Sequence, residues 1–526
     1  RPARRPRGRG EADVERGGRT AILGILLAVG VWSLVAGRSL WFDELFALHA
    51  ASLSPWELLR FVRDHDAHPP LYYALLKAWT ELWGTSERSV RALSLVLGLA
   101  TLLAVEEYVR RRLGTGPAGV AVAALAVSPL FLQASSEATR YALLTFLYVV
   151  AGLEVLATVE GKRRRPWRLG LVGSLLLYTH SLGLLLLGCV GVFAAWYGGR
   201  EGLRRVAVGL ALAGLAFVPW APVFWYHVSA GRFDPPWRPA LPATLPLQLL
   251  HVVGFGGRVF ETAGSFSTSA APWWVEVALA VPVLVWLGAG LWGVWHRSAG
   301  LGRLVLCCTA LPAGLLLGVS YWKQSMVAYP RYFVFAVPYL ALAAGSLAGP
   351  EGPWGRERGP RGPGGSAAGS SDKTGRSWAR AVVGMCAAAV LVLSVGSLAR
   401  WGENLTEGMG DRRALAAELS KRLRPGDAVA VYPRWEATGV DYYLPQLRGR
   451  FVALRSEWTE DAYRALREQV RGLSRADRVW VVQGFPMAPQ AFEAIYRQLS
   501  RTHRVAYFGE FDGLRLTLFE GRNLSP

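Results

Sequence analysis

Apolar stretches long enough to cross a bilayer recur along this chain, and short Arg-rich joints separate them. A helix of about twenty apolar residues matches the hydrocarbon thickness, and in lipid only helices and closed barrels satisfy every backbone N–H and C=O. The repetition therefore dictates a bundle of helices before any motif is read. Spans are expected at 20–37, 88–106, 117–134, 140–158, 168–180, 182–198, 205–223, 273–295, 303–321, 331–348 and 379–398, about eleven in all. Hydrophobic residues make up 52% of 526, more than a single soluble core of this length uses.

The net charge of +20 raises the question of nucleic acid. Its placement excludes that partner, because the arginines sit in the joints, where they orient helices in a membrane. Arg1 to Arg19, Arg110 to Arg112, Lys162 to Arg165, Arg200 with Arg204 and Arg205, Arg297 with Arg303, and Arg356 to Arg361 all fall on one side of the expected topology. The positive-inside rule makes that side cytoplasmic, and an odd number of spans puts the C-terminus outside. A bacterial plasma membrane suits the Arg-rich, lysine-poor composition. The four cysteines lie within apolar runs and read as small core residues. The chain opens on Arg1 and not on methionine, so an upstream start is expected.

The fold class that follows is a polytopic α-helical membrane protein with a small C-terminal α/β domain. Residues 1–19 form a basic tail, 20–348 the transmembrane domain, 349–377 a Gly/Pro-rich linker, 378–400 the last span and 401–526 an extracytoplasmic domain. In that last part helical and strand patterns alternate: helices over 412–423, 461–472 and 489–499, and strands over 428–432, 478–482, 504–508 and 514–519. The alternation predicts a doubly wound sheet. The first external loop carries two expected interfacial helices, 54–63 and 69–83, the second opened by Pro69-Pro70.

Charged residues gather at the external borders of the apolar runs. Asp43-Glu44 follows the first run, Asp66 and His68 sit before Pro69-Pro70, Glu137 and Arg140 with Tyr141 open a later span, and His180 and Arg331 lie near the ends of others. Ionisable groups at such borders are costly unless something uses them. Each also has a structural reading: a helix cap for Asp43-Glu44, a solvated loop for Asp66 and His68, a mutual salt bridge for Glu137 and Arg140, a hydrogen-bonded core residue for His180, and a charged flank for Arg331.

The ordered set Asp43-Glu44, then His68-Pro69-Pro70-Leu71-Tyr72-Tyr73, then Ser136-Glu137-Ala138-Thr139-Arg140-Tyr141, then Leu177-Tyr178-Thr179-His180-Ser181-Leu182-Gly183, then Pro330-Arg331-Tyr332-Phe333 resembles the C-type glycosyltransferases. More narrowly, it is similar to the branch holding protein O-mannosyltransferases and lipid A aminoarabinose transferases. The resemblance covers about residues 20 to 350 and rests on the order of the motifs, each of which alone is weak. It implies transfer of a sugar from a polyprenyl phosphate to an acceptor on the external face of the membrane. The aminoarabinose enzymes carry Lys-Pro-Pro where this chain has His68-Pro69-Pro70.

Such a reaction needs a carboxylate to take the acceptor's proton and cations to hold the departing phosphate. Asp43 is the expected base, with Glu44 beside it to orient it. Arg140, Arg331 and His68 are expected on the donor phosphate, and Asp66, Glu137, Tyr141 and His180 on the acceptor or the sugar. Direct attack without a nucleophilic carboxylate predicts inversion. The chemistry requires no metal, and a divalent ion, where one is used, falls to Asp43 and Glu44. The expected partners are a polyprenyl-phosphate sugar, a lipid, glycan or protein acceptor, and membrane lipids. The alternative is a transporter or flippase for a lipid-linked anion, which also holds ionisable residues among its spans. Against it stand the lack of an internal repeat and the gathering of charge at one face.

Overall fold

The computed structural model describes residues 38–162, 165–230, 245–255, 273–323, 330–348, 370–404, 410–455, 460–484 and 489–522, with Gly30 and Ala243. It divides into two compact units. One comprises 1–34, 54–84 and 88–401, and the other 35–53, 85–87 and 402–526.

The first unit is a helical membrane body. Among the described residues six helices are long and apolar enough to cross a bilayer, or seven if the pair Thr115–Ala126 and Pro129–Ser136, bent by 68°, forms one broken span. The bend has a local cause: Ser128 caps the second helix by accepting from the Phe131 N–H, and Pro129 opens it. The spans expected at 88–106, 140–158, 273–295 and 379–398 fall on helices Glu87–Leu113, Tyr141–Val159, Trp273–Arg297 and Trp378–Leu398. That at 303–321 falls on Ala299–Lys323.

Elsewhere the expected spans fit less simply. That at 20–37 lies outside the described residues except for Gly30. Those at 168–180 and 331–348 coincide with shorter helices, Pro166–Thr179 and the pair Pro330–Ala336 and Val337–Gly345. The 35-residue stretch Gly183–Phe217 is helical at both ends but contains Gly199 at φ 60, ψ −152. Only glycine takes that conformation cheaply. It folds the stretch into a hairpin, in which a Cβ on Gly202 would meet the Ala194 carbonyl at 2.7 Å and one on Gly191 would meet Leu210 at 3.5 Å. The helix holding the last span begins at Ser370, inside the segment read as linker, and 349–369 lies outside the described residues. Cys189, Cys307 and Cys308 are buried free thiols.

The second unit is built on a five-stranded sheet in the order β2-β1-β3-β5-β4: β1 (Ala428–Tyr432), β2 (Val452–Ala453), β3 (Arg478–Gln483), β4 (His503–Phe511) and β5 (Leu514–Gly521). β1 pairs in parallel with β2 and β3, whereas β5 is antiparallel to both β3 and β4. The sheet is therefore mixed, not doubly wound throughout. Its antiparallel half follows from Asp512-Gly513, both at positive φ, the pattern of a tight hairpin turn between alternating strands. Alternate residues of β1 and β3 feed opposite cores. Val429, Val431, Trp480 and Val482 pack with Leu415 and Leu419 of helix Arg412–Arg422, and Ala430, Tyr432, Val479 and Val481 pack with Leu466, Val470 and Ile495.

Candidate functional site

Two sets of candidate residues are present, one in each unit. In the membrane unit the set is built around Asp66. Helix Pro55–His65 is opened by Ser54, which exchanges hydrogen bonds with Glu57, and closes at Asp66 in extended conformation, φ −130, ψ 149. Pro69-Pro70 then starts helix Leu71–Trp83. Asp66, Ala67 and His68 are thus fixed between two stops, and Ser181 Oγ donates to the Ala67 carbonyl at 2.5 Å.

His68 Nδ1 donates to one Asp66 oxygen at 2.7 Å. The other oxygen receives the Tyr73 hydroxyl and, at 3.3 Å, Arg140 Nη1, which also donates to the Tyr73 oxygen. The three charged side chains keep only 10%, 13% and 12% of their surface. Burial opposes ionisation of Asp66, but the charges of His68 and Arg140 and the hydrogen bonds from His68 and Tyr73 outweigh it and hold the carboxyl well below the usual carboxylate range.

The wall of this network is aromatic and cationic. The His180 ring lies 4.3 Å from that of His68 and 5.7 Å from both Tyr141 and Tyr332. The Arg331 guanidinium lies over the Tyr141 ring at 5.6 Å. His180 Nδ1 accepts the Leu182 N–H at 3.0 Å, so in the neutral ring the proton sits on Nε2. That nitrogen is buried with no hydrogen-bond partner among the described residues. A buried donor left unpaired costs about 1 to 3 kcal/mol, so it marks a place for an acceptor. Glu137 is buried at the end of helix Pro129–Ser136 and takes a hydrogen bond from Gln133 at 3.1 Å.

The carboxylate pair belongs to the other unit. Trp41 is extended and caps helix Phe42–Ser52, so Asp43 and Glu44 occupy its first turn, where negative charge suits the helix dipole. Glu44 is fully buried. It accepts the Trp41 N–H at 3.2 Å and lies 3.8 Å from Arg38. Asp43 is half-buried. The segment is tied to the α/β unit at several points. Ser39 Oγ donates to the Gly410 carbonyl at 3.0 Å and accepts the Arg412 N–H at 3.1 Å. The Leu40 N–H donates to the Tyr443 hydroxyl at 2.7 Å, and Phe42 meets Trp435 edge to face at 6.1 Å.

The structure thus brings together Asp66, His68, Arg140, Tyr141, His180 and Arg331 in one unit, and Asp43 and Glu44 in the other. Tyr73 was not among the expected site residues. Its signal was present, since a helix starting after Pro70 turns its third residue back toward the loop. The Asp64-His65-Asp66 run is divided: Asp64 pairs with Arg63, and the His65 ring reaches the Phe61 carbonyl. Among the described residues no three His, Cys, Asp or Glu side chains are grouped to hold a metal ion.

The family model for dolichyl-phosphate-mannose-protein mannosyltransferases matches residues 67–226, a stretch that includes His68, Arg140 and His180. No curated protein matches the chain. Among solved structures, ArnT from Cupriavidus metallidurans in its apo state aligns with TM-score 0.58 and 16% identity over 96% of this chain and 98% of that one. The same protein bound to undecaprenyl phosphate aligns with TM-score 0.55 over 95% and 98%, again at 16% identity. The archaeal oligosaccharyltransferase AglB from Archaeoglobus fulgidus, in complex with an inhibitory peptide and a dolichol-phosphate, aligns with TM-score 0.50 and 11% identity over 97% of this chain and 75% of that one. Sequence signature and fold agree on the resemblance read from the motifs: this chain is similar to the C-type membrane glycosyltransferases that use polyprenyl-phosphate sugars.

Proposed function

We propose that this protein is an inverting glycosyltransferase that moves a sugar from a polyprenyl phosphate to a lipid, glycan or protein acceptor at the external face of a bacterial plasma membrane. The observation that carries the reading is the convergence of Arg140 and Arg331 on the buried Nε2–H of His180, beside an Asp66 already satisfied by its own neighbours. The His180 Nε2–H has no acceptor among the described residues and two guanidinium groups stand near it, an arrangement that suits a phosphate. The ArnT structure holds an undecaprenyl phosphate, and the AglB structure a dolichol-phosphate beside an inhibitory peptide.

The reaction balances simply. The acceptor oxygen forms a bond to the anomeric carbon, the bond from that carbon to the phosphate oxygen breaks, and the acceptor's proton passes to Asp43. The electron pair leaves with the phosphate, whose growing charge Arg140 and Arg331 stabilise. Asp43 is the proposed base because it is the half-buried member of the pair, while Glu44 caps the helix and pairs with Arg38. Asp66 is the proposed anchor that aims Arg140 and His68, Tyr141 and Glu137 are assigned to the sugar or acceptor, and His180, expected there from the sequence, is reassigned by its unpaired Nε2–H to the border with the phosphate.

The test is a detergent assay with polyprenyl-phosphate sugars and membrane acceptors, in which no transport takes place. Release of free polyprenyl phosphate coupled to transfer supports the reading. Vectorial movement of a lipid-linked anion in vesicles, with no release in detergent, replaces it with the transporter. The face is read separately by a cysteine introduced at Ser474, which should react with a membrane-impermeant thiol reagent added to intact spheroplasts.

A further inference from the structure

We infer that the C-terminal α/β unit is the holder of the proposed base: Ser39, Trp435 and Tyr443 are positioning residues that set where Asp43 stands. The inference rests on the assignment of Asp43 as base. The helix bearing it, Phe42–Ser52, is grouped by its contacts with the sheet unit of 402–526 and not with 54–84 or 88–401.

The grip is specific and falls on the residues immediately before and around Asp43. Ser39 is buried and bridges the Gly410 carbonyl and the Arg412 N–H, using its hydroxyl as donor and acceptor at once. One residue on, Leu40 gives its N–H to Tyr443, whose hydroxyl in turn donates to Glu87. Phe42, the neighbour of Asp43, packs edge to face on Trp435. Glu44 fixes the helix start from within.

The platform beneath is itself rigid. The Arg412 guanidinium makes two hydrogen bonds to Glu436, at 2.9 and 2.8 Å, and both residues are buried. Glu436 fits because Gly484, just past β3, has no side chain: a Cβ there would lie 2.3 Å from Glu436 Cγ. Trp435 precedes Glu436, so the aromatic contact to Phe42 and the ion pair to Arg412 come from one short turn, Arg434–Glu436, at the carboxyl end of β1. Carboxyl ends of parallel strands are where open α/β sheets hold ligands. Here the occupant is a segment of the same chain, and it carries the carboxylate.

A base held at the wrong distance loses rate and not affinity, because the penalty is in reaching the transition-state geometry. Trp435→Ala in the full-length protein is expected to lower kcat by about ten- to hundred-fold with the donor KM unchanged, and Trp435→Phe to restore most of it. Ser39→Ala and Tyr443→Phe each delete one hydroxyl and should lower kcat in the same sense by a smaller factor. Should Trp435→Ala fail to fold, these two variants carry the test. A merely structural role would reduce the yield of folded enzyme without changing its turnover, and rescue by phenylalanine would not restore a rate. The inference is overturned if all three variants turn over at the parent rate per folded molecule while Asp43→Asn is inactive. If Asp43→Asn is itself fully active, the assignment of the base fails first, and a kcat loss in Trp435→Ala then has another cause.

Discussion

The two groups of candidate residues are held in opposite ways. Around Asp66 the grip is on side chains: a carboxylate and an imidazole from one loop, a phenol from the helix after it and a guanidinium 74 positions away satisfy one another in a buried net. Around Asp43 the grip is on the chain itself, through the Leu40 N–H, the Ser39 hydroxyl and the Phe42 ring. A side-chain net fixes charges whose protonation must not change, which suits groups that hold a phosphate. A clamped backbone fixes a position while leaving the chemistry to the side chain, which suits a group that must gain and lose a proton. The contrast predicts different failures when each is disturbed.

The largest should come from Asp43→Asn, which keeps the shape and removes the proton affinity. General-base catalysis contributes about 10²- to 10⁴-fold, so turnover should fall by that range while donor binding, read by photo-crosslinking of a polyprenyl phosphate analogue, persists. Asp66→Asn should be milder and of another kind. It leaves Arg140 and His68 without their shared counter-charge, so we expect a loss of about ten- to hundred-fold in kcat/KM, each tenfold being about 1.36 kcal/mol, with a raised donor KM. Equal kcat losses at unchanged KM in both variants would erase the distinction between the two regions. Arg331→Ala comes next, with a loss of roughly ten-fold in rate, the size of one charged hydrogen bond.

How much of this was open to reading from the residues follows the range of the interactions. The spans at 88–106 and 140–158 were visible because twenty apolar residues in a row leave few alternatives. The order of the charged motifs was equally visible, and so was the loop between two helices that presents Asp66 and His68. What joins them was not. Arg140 reaches Asp66 across 74 positions, and nothing in spacing specifies that pairing. The partnership of the Asp43 segment with the tail domain spans 371 positions from Ser39 to Gly410 and 403 from Leu40 to Tyr443. Its placement after the first span made it read as part of the membrane domain. Two-residue β2 is too short to show alternation, and the antiparallel hairpin was announced by Asp512-Gly513 but lost in the helix–strand alternation before it.

The pH dependence sharpens the comparison further. Because the native carboxyl of Asp66 titrates below its unfolded value, its contribution to stability is complete above about pH 4, and it is lost as the pH falls through the lowered native value. Thermal unfolding followed from pH 7 downward should therefore show an acid-labile component in the parent that is reduced in Asp66→Asn. Any acid arm of the activity profile near neutrality belongs to a group other than Asp66, and it should survive in Asp66→Asn.

The smallest expected effect tests the geometry of the phosphate grip. Arg331 lies over the Tyr141 ring, a position that orients its planar fork. Arg331→Lys keeps the positive charge but replaces a fixed pair of donors with a flexible ammonium, so it should lose only a few-fold in rate, about 0.5 to 1 kcal/mol, within the share of a charge-assisted hydrogen bond that geometry supplies. The loss should appear in kcat, since the phosphate gains charge as it departs, and the acceptor KM should stay where it was. If lysine restored the full rate, charge alone would suffice and the stacking on Tyr141 would be incidental. If instead Arg331→Lys raised the acceptor KM with turnover and donor affinity intact, Arg331 would serve the acceptor, and Arg140 with the histidines would be left to hold the phosphate.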